Sequence, residues 1–245
     1  GQPVPLYRIS LGMAYELAGS QESAKGEYVA ALRLSPSVLS SHFFSDLSKR
    51  SPGLASACVA DAIASLEQES SQKPNAIVDA RLGGLYLQRD PQRAASLLST
   101  ASEKLPSLSR AWTNQAYLAE LNGDSAGAKV DYQRAIFLDS SDYVPLVGLA
   151  RLFELENDYR DALDCYTLSM AKWQTTISVH AYRSTRIYRT KAVLRNDLVP
   201  SWLLHYTEPA FDWTGVCLRV SQLYARSGNL TEAERYRSLS NMIVH

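Results

Sequence analysis

Residues 6–38 read "LYRISLGMAYELAGSQESAKGEYVAALRLSPSV". Apolar side chains recur at helical spacing from Leu6 to Leu17, "AGSQ" interrupts them, and a second helical run goes from Glu22 to Leu34 before Pro36 stops it. The stretch predicts two short antiparallel helices joined by a tight turn. Sliding the sequence along itself finds the same unit again. Ala94, Ala128 and Ala162 follow one another at intervals of 34 residues, and Ala24 lies 70 before Ala94, two periods with a small insertion. Four residues after each alanine come Tyr28, Leu98, Tyr132 and Tyr166; Ala31, Ala101 and Ala135 follow the first three, and Pro36 and Pro106 close two of the units.

The set resembles the tetratricopeptide repeat, a 34-residue helix pair with the pattern W-x2-L-G-x2-Y followed by G, A, F/Y, A and P. Leu11, Gly12, Tyr15, Gly19, Ala24, Tyr28, Ala31 and Pro36 fill it in the first unit. Leu82, Gly83 and Tyr86 begin it again, with a turn one residue shorter. Trp112, Ala116, Gly123, Ala128, Tyr132 and Ala135 make another copy, as do Leu149, Ala150, Phe153, Asn157, Tyr159, Ala162 and Tyr166; Tyr224, Gly228, Ala233 and Tyr236 make a last one. The types have physical reasons. A small residue in the first helix lets the two axes approach, an aromatic fills the gap toward the next pair, Gly or Asn permits the turn, and Pro cannot continue a helix. The resemblance implies an all-α, right-handed α-solenoid of antiparallel helix pairs.

Units are expected near 5–38, 39–72, 75–107, 109–140 and 143–173. The 39–72 unit is degenerate and placed by register alone; its run from Ala55 to Leu66 reads as a second helix. Residues 174–245 form an atypical C-terminal part: a basic helix, an irregular connection with Pro and Trp over 196–212, and a final repeat-like pair over 213–245. The basic helix carries Arg183, Arg186, Arg189, Lys191 and Arg195 and, with Lys172 before it, has no acid between Asp164 and Asp197. It reads either as a solvated face whose stems cover apolar surface or as a docking face for an acidic segment or anionic headgroup.

The bulk numbers bound the function. The 245 residues are 46% hydrophobic and 20% charged, enough for a buried core, and the net charge of 0 offers no general attraction to nucleic acid or a membrane surface. Cys58, Cys165 and Cys217 are odd in number and far apart, which argues against disulfides or a zinc site of paired Cys-x-x-Cys type. No stretch is apolar enough to span a membrane. The opening "GQPVPLYR" lacks the layout of a signal peptide and an initiator Met, so the chain reads as a piece of something longer. The compartment stays open, with the cytoplasm favoured over a fragment of a larger envelope protein.

Chemistry-bearing motifs are sparse. His42, His180, His205 and His245 do not cluster with one another or with cysteine. "LGGLY" is no dinucleotide loop; "SMAK", Ser169 to Lys172, has Ser-x-x-Lys spacing without its companion motifs; and "NLT" from Asn229 falls in a predicted turn. Glu154 and Glu156 point to different helix faces. No catalytic residue, metal ligand or cofactor site is expected.

The family uses the concave face of the first helices to hold another protein's segment. Carried over, its groove positions are Arg110, Thr113, Tyr117, Glu120 and Leu121, then Val144, Val147, Arg151, Glu154 and Leu155. The Lys and Asn that clamp chaperone-tail carboxylates in some members are replaced by Ile9 and Met13, and by Ala80 and Gly84 in the 75–107 unit, which disfavours that use. The leading expectation is a non-enzymatic protein-interaction scaffold for a protein or peptide segment. The alternative, resting on the basic tail "YRTKAVLRNDLVP", which is similar to that of bacterial envelope-polysaccharide proteins of the O-antigen ligase-like type, is the soluble C-terminal repeat region of such a protein, a resemblance that implies a membrane portion doing the chemistry.

Overall fold

The computed structural model describes residues 5–173 and 213–241, and the regular elements in them are helices. In chain order they are α1 (Pro5–Leu17), α2 (Gln21–Leu34), a 3-10 turn (Pro36–Ser40), α3 (His42–Arg50), α4 (Pro52–Gln72), α5 (Ala76–Tyr86), α6 (Pro91–Lys104), α7 (Ser109–Leu121), α8 (Ser125–Leu138) and α9 (Val144–Leu155). Then come α10 over 159–173, α11 (Trp213–Arg226) and α12 (Leu230–Asn241). Helices α1 and α2, α5 and α6, α7 and α8, and α11 and α12 pair closely, and the second helix of a pair packs on the first of the next, as α6 does on α7 and α8 on α9. The basic stripe at 183–195 and the connection at 196–212 lie outside the described residues.

The turns show why the chain reverses every half unit. Gly19, Gly123 and Gly228 have φ of 78°, 79° and 81°, and Asn157 takes the same place at 64°, the left-handed region open to Gly and tolerated by Asn. Each closes its helix alike: Gly123 N–H donates to Glu120 O and Asp124 N–H reaches back to Ala119 O, and Asn157 and Asp158 repeat the pattern on Glu154 and Phe153. The following residue then starts the second helix. Asp124 accepts from Gly127 N–H, Asp158 from Asp161 N–H and Asn229 from Glu232 N–H, so Asn229 of "NLT" serves as an N-cap. The shorter turn before α6 has no left-handed residue; Arg89 and Asp90 both donate to Tyr86 O, and Asp90 caps Arg93.

The small residues set the spacing of the rods. Ala24, Ala94, Ala128 and Ala162 are fully buried. A Cβ on Gly12 would collide with the edge of the Tyr28 ring, and one on Gly83 would stand 2.8 Å from Leu98 Cγ, so each glycine yields its space to the large residue of its own second helix. Tyr28 also meets Phe43 of the next unit at 4.9 Å between centroids, and Tyr132 fills the space left by Gly148 of the following first helix.

The degenerate unit departs most. Its first helix is the nine-residue α3, preceded by the 3-10 turn, which packs on α2, α3 and α5. Ser41 caps α3 by accepting from Phe44 N–H. Helix α4 extends well past both ends of the run from Ala55 to Leu66, because Pro52 stands in its first turn and Pro74 lies beyond its last residue. At the other end, Tyr143, Ala150, Ala162, Tyr166, Met170 and Trp173 share one core with Val216, Cys217, Val220 and Leu223, which seats α11 on the α9–α10 pair. The three cysteines are free thiols, and burial pushes Cys58 and Cys165 up to about 11 each.

Candidate partner-binding groove

The first helices carry a polar set that recurs between neighbouring units. In α7 and α8, Tyr132 lies buried and its hydroxyl donates to Glu120 Oε2 at 2.9 Å; Arg151 of α9 grips the same carboxylate with Nε at 3.0 Å and Nη2 at 2.8 Å. One unit on, Tyr166 donates to Glu154 at 2.6 Å and Arg219 of α11 reaches it at 2.9 Å. At the N-terminal end, Tyr28 donates to Glu16, and Arg50 of α3 binds both oxygens of Glu16 at 2.7 and 2.8 Å. Each carboxylate satisfies a buried phenol of its own pair and a guanidinium from a later helix, a charge-assisted tie across the unit boundary.

The electrostatics follow. Burial, reinforced by the facing carboxylate, holds the hydroxyls of Tyr28, Tyr132 and Tyr166 well above the usual tyrosine range. Burial alone would lower Arg151, but the hydrogen bonds and charge of Glu120 outweigh it and hold the guanidinium above its ordinary value. Glu16 is lowered, first by its hydrogen bonds from Arg50.

The expected groove residues therefore fall into separate environments. Glu120 and Arg151 pair with each other, and Glu154 pairs with Arg219. Thr113 is buried, its hydroxyl donating to Ser109 O at 3.2 Å. Tyr117 is half-buried. Arg110 is exposed near the start of α7, its Nη1 3.2 Å from Ser35 Oγ across two units, and beside it opens a cleft of about 350 Å³ lined by Leu108, Ser109, Leu138, Asp139 and Asp142. Leu121 and Leu155 end their helices exposed, as does Leu17. Ile9 is buried and Met13 packs on the core, while Ala80 and Gly84 are buried. Ser169 of "SMAK" is buried with its hydroxyl on Tyr166 O. The basic stripe Arg183, Arg186, Arg189, Lys191 and Arg195 lies outside the described residues.

Tyr132 and Tyr166, expected as packing residues of the repeat, were not among the expected groove residues, although the sequence carried a signal for their pairing with the glutamates. Glu16 and Tyr28, Glu120 and Tyr132, and Glu154 and Tyr166 are each 12 residues apart. No described helix is long and apolar enough to cross a membrane.

No family model matches the chain, and neither does any curated protein sequence. Its fold matches solved tetratricopeptide-repeat structures. MamA aligns at a TM-score of 0.51 with 14% identity over 76% of this chain and 88% of its own. PilW, described as a widely conserved type IV pilus biogenesis factor, aligns at 0.51 with 15% identity over 98% of this chain and 93% of its own. The pilF protein of Pseudomonas aeruginosa aligns at 0.50 with 20% identity, covering 95% and 88%. The described helices thus form a tetratricopeptide-repeat-like, right-handed α-solenoid.

Proposed function

We propose that the chain is a non-enzymatic interaction module that holds a partner protein's segment along the inner face of its first helices. In this reading Arg110, Tyr117, Leu121 and Leu155 contact the partner. Glu120, Arg151 and Glu154, tied to Tyr132, Tyr166 and Arg219, set the spacing of the helices that present them, and Thr113 backs the face from within.

The observation that carries this is the exposure of Leu121 and Leu155, 53% and 71%, at the ends of adjoining first helices that the Glu120–Arg151 pair already ties together. Apolar side chains held at the surface on a braced frame gain by desolvation when a segment covers them, and bracing in advance reduces the ordering cost of binding. Site-specific photocrosslinking tests the reading. A benzophenone side chain at Tyr117 should give adducts that map to one contiguous segment of one protein, whereas the same probe at Phe137, exposed on α8, should give scattered ones. Equal, scattered adducts from both positions would remove it.

A further inference from the structure

We propose that Arg33, Arg81 and Arg110 form a carboxylate-binding site on the inner face, which takes an acidic residue of the partner segment; the source of that carboxylate rests on the groove reading above. Three elements converge there. Arg33 stands near the end of α2, Arg81 in the middle of α5 and Arg110 in the first turn of α7. Pro36, in the turn after α2, lies against Gly84 of α5, and a Cβ on Gly84 would stand 3.0 Å from Pro36 Cβ and 3.2 Å from Asn114 Nδ2 of α7. Arg110 Nη1 spans the remaining gap to Ser35 Oγ at 3.2 Å and Ser37 Oγ at 3.5 Å.

The cations exceed the anions at this place. Arg81 is half-buried and makes no hydrogen bond or ion pair among the described residues; burial depresses it, Glu69 opposes this, and Arg110 and Arg33 depress it further. Arg33 gives Nη2 to Glu69 at 3.1 Å, while its Nε is buried without an acceptor among the described residues. Asn114, half-buried, has no hydrogen-bond partner among the described residues. Among the described residues, Glu69 is thus the single carboxylate bonded within a group of three guanidiniums. Asp139 and Asp142 act on Arg110 through space but are committed as acceptors, Asp139 from Ser141 N–H and hydroxyl and Asp142 from Val144 N–H.

Desolvating a cation beside like charges is costly, and an incoming anion offsets part of that cost. The forked donors of arginine match a carboxylate. Among the described residues, the serine hydroxyls give Arg110 only neutral acceptors, which a carboxylate would displace. The aspartates beyond Arg110 favour a single negative charge over a phosphate dianion.

The test is titration of the full chain with an acetylated, amidated peptide, Ala-Glu-Glu-Ala-Glu-Glu-Ala, with its all-Gln counterpart and with inorganic phosphate. The acidic peptide should bind about tenfold or more tighter than the Gln version and weaken with salt. Arg81→Gln and Arg110→Gln should each weaken it about tenfold, and Arg237→Gln should leave it unchanged. Arg81→Gln should melt no lower than the unaltered chain, since the guanidinium it removes has no partner among the described residues. Lower melting with unchanged peptide affinity would assign Arg81 to the fold and overturn the proposal, as would phosphate binding without peptide binding. The two readings fail separately: a negative titration with intact crosslinks from Tyr117 removes the anion site alone, and scattered crosslinks with a positive titration remove the groove alone.

Discussion

Helices α7 to α10 and the pair α5–α6 solve the same packing problem in opposite ways. In α7–α10 the second helices bury Tyr132 and Tyr166, and the first helices answer with Glu120 and Glu154, each also held by a later arginine. In α5–α6 the buried position holds Leu98, the matching place just after α5 holds Leu87, and Gly83 makes room for the leucine. A buried phenol requires an acceptor, whereas a leucine requires only space. The register therefore accepts either solution, provided both members change together.

The largest expected effect comes from splitting such a set. Glu120→Leu strands the Tyr132 hydroxyl and the Arg151 guanidinium and should cost about 3–5 kcal/mol in urea unfolding. Leu98→Tyr, which puts a phenol where the first helix offers Leu87, should cost about 1–3 kcal/mol. Equal, small costs for both would mean that the polar sets brace nothing. Next is Gly148→Ala. In an exposed helix the change gains about 1 kcal/mol, but here the new Cβ collides with the Tyr132 ring, so a net loss of about 1–3 kcal/mol is expected, and Tyr132→Leu in the same chain should relieve it.

Titration separates the same regions. Tyr28, Tyr132 and Tyr166 have folded pKa values raised above the ordinary 10.0, by burial first and then by their carboxylates. Their contribution is complete below about pH 10 and is lost as pH rises toward the folded values. Thermal melting should therefore fall on the alkaline side, and Tyr132→Phe should flatten that limb while costing about 1 kcal/mol at neutral pH. Glu16 acts at the acid end. Its lowered pKa contributes stability above its ordinary 4.5 that disappears as pH drops through the folded value, and Glu16→Gln should remove that dependence. The smallest effect belongs to the turns: Asn157→Gly should gain about 0.5 kcal/mol and Gly123→Asn should lose about as much, because both positions are left-handed. The α5–α6 turn, lacking such a residue, should gain nothing from Gln88→Gly or Arg89→Gly.

Much of the fold was legible because its determinants are local. The turn residues Gly19, Gly123, Asn157 and Gly228 and the one-residue shortening before α6 act within one helix pair, and the 34-residue spacing of Ala94, Ala128 and Ala162 marks the repetition of that pair. The degenerate unit was harder. In residues 35–41 the serines could cap, turn or solvate, and packing against α2, α3 and α5 resolved the stretch into a 3-10 turn and a cap at Ser41. Of the candidate groove, Glu120, Arg151 and Glu154 were placed by register, but register says nothing of whether a carboxylate faces a partner or a neighbouring helix.

The sequence by itself determined the helix pairs, their period and their turns, since backbone preference and apolar spacing operate over a few residues. The tertiary structure alone decided which charges meet. Arg50 reaches Glu16, Arg219 reaches Glu154, and Arg33, Arg81 and Arg110 gather around a single bonded carboxylate, because stacking brings together side chains from separate units that no local pattern relates.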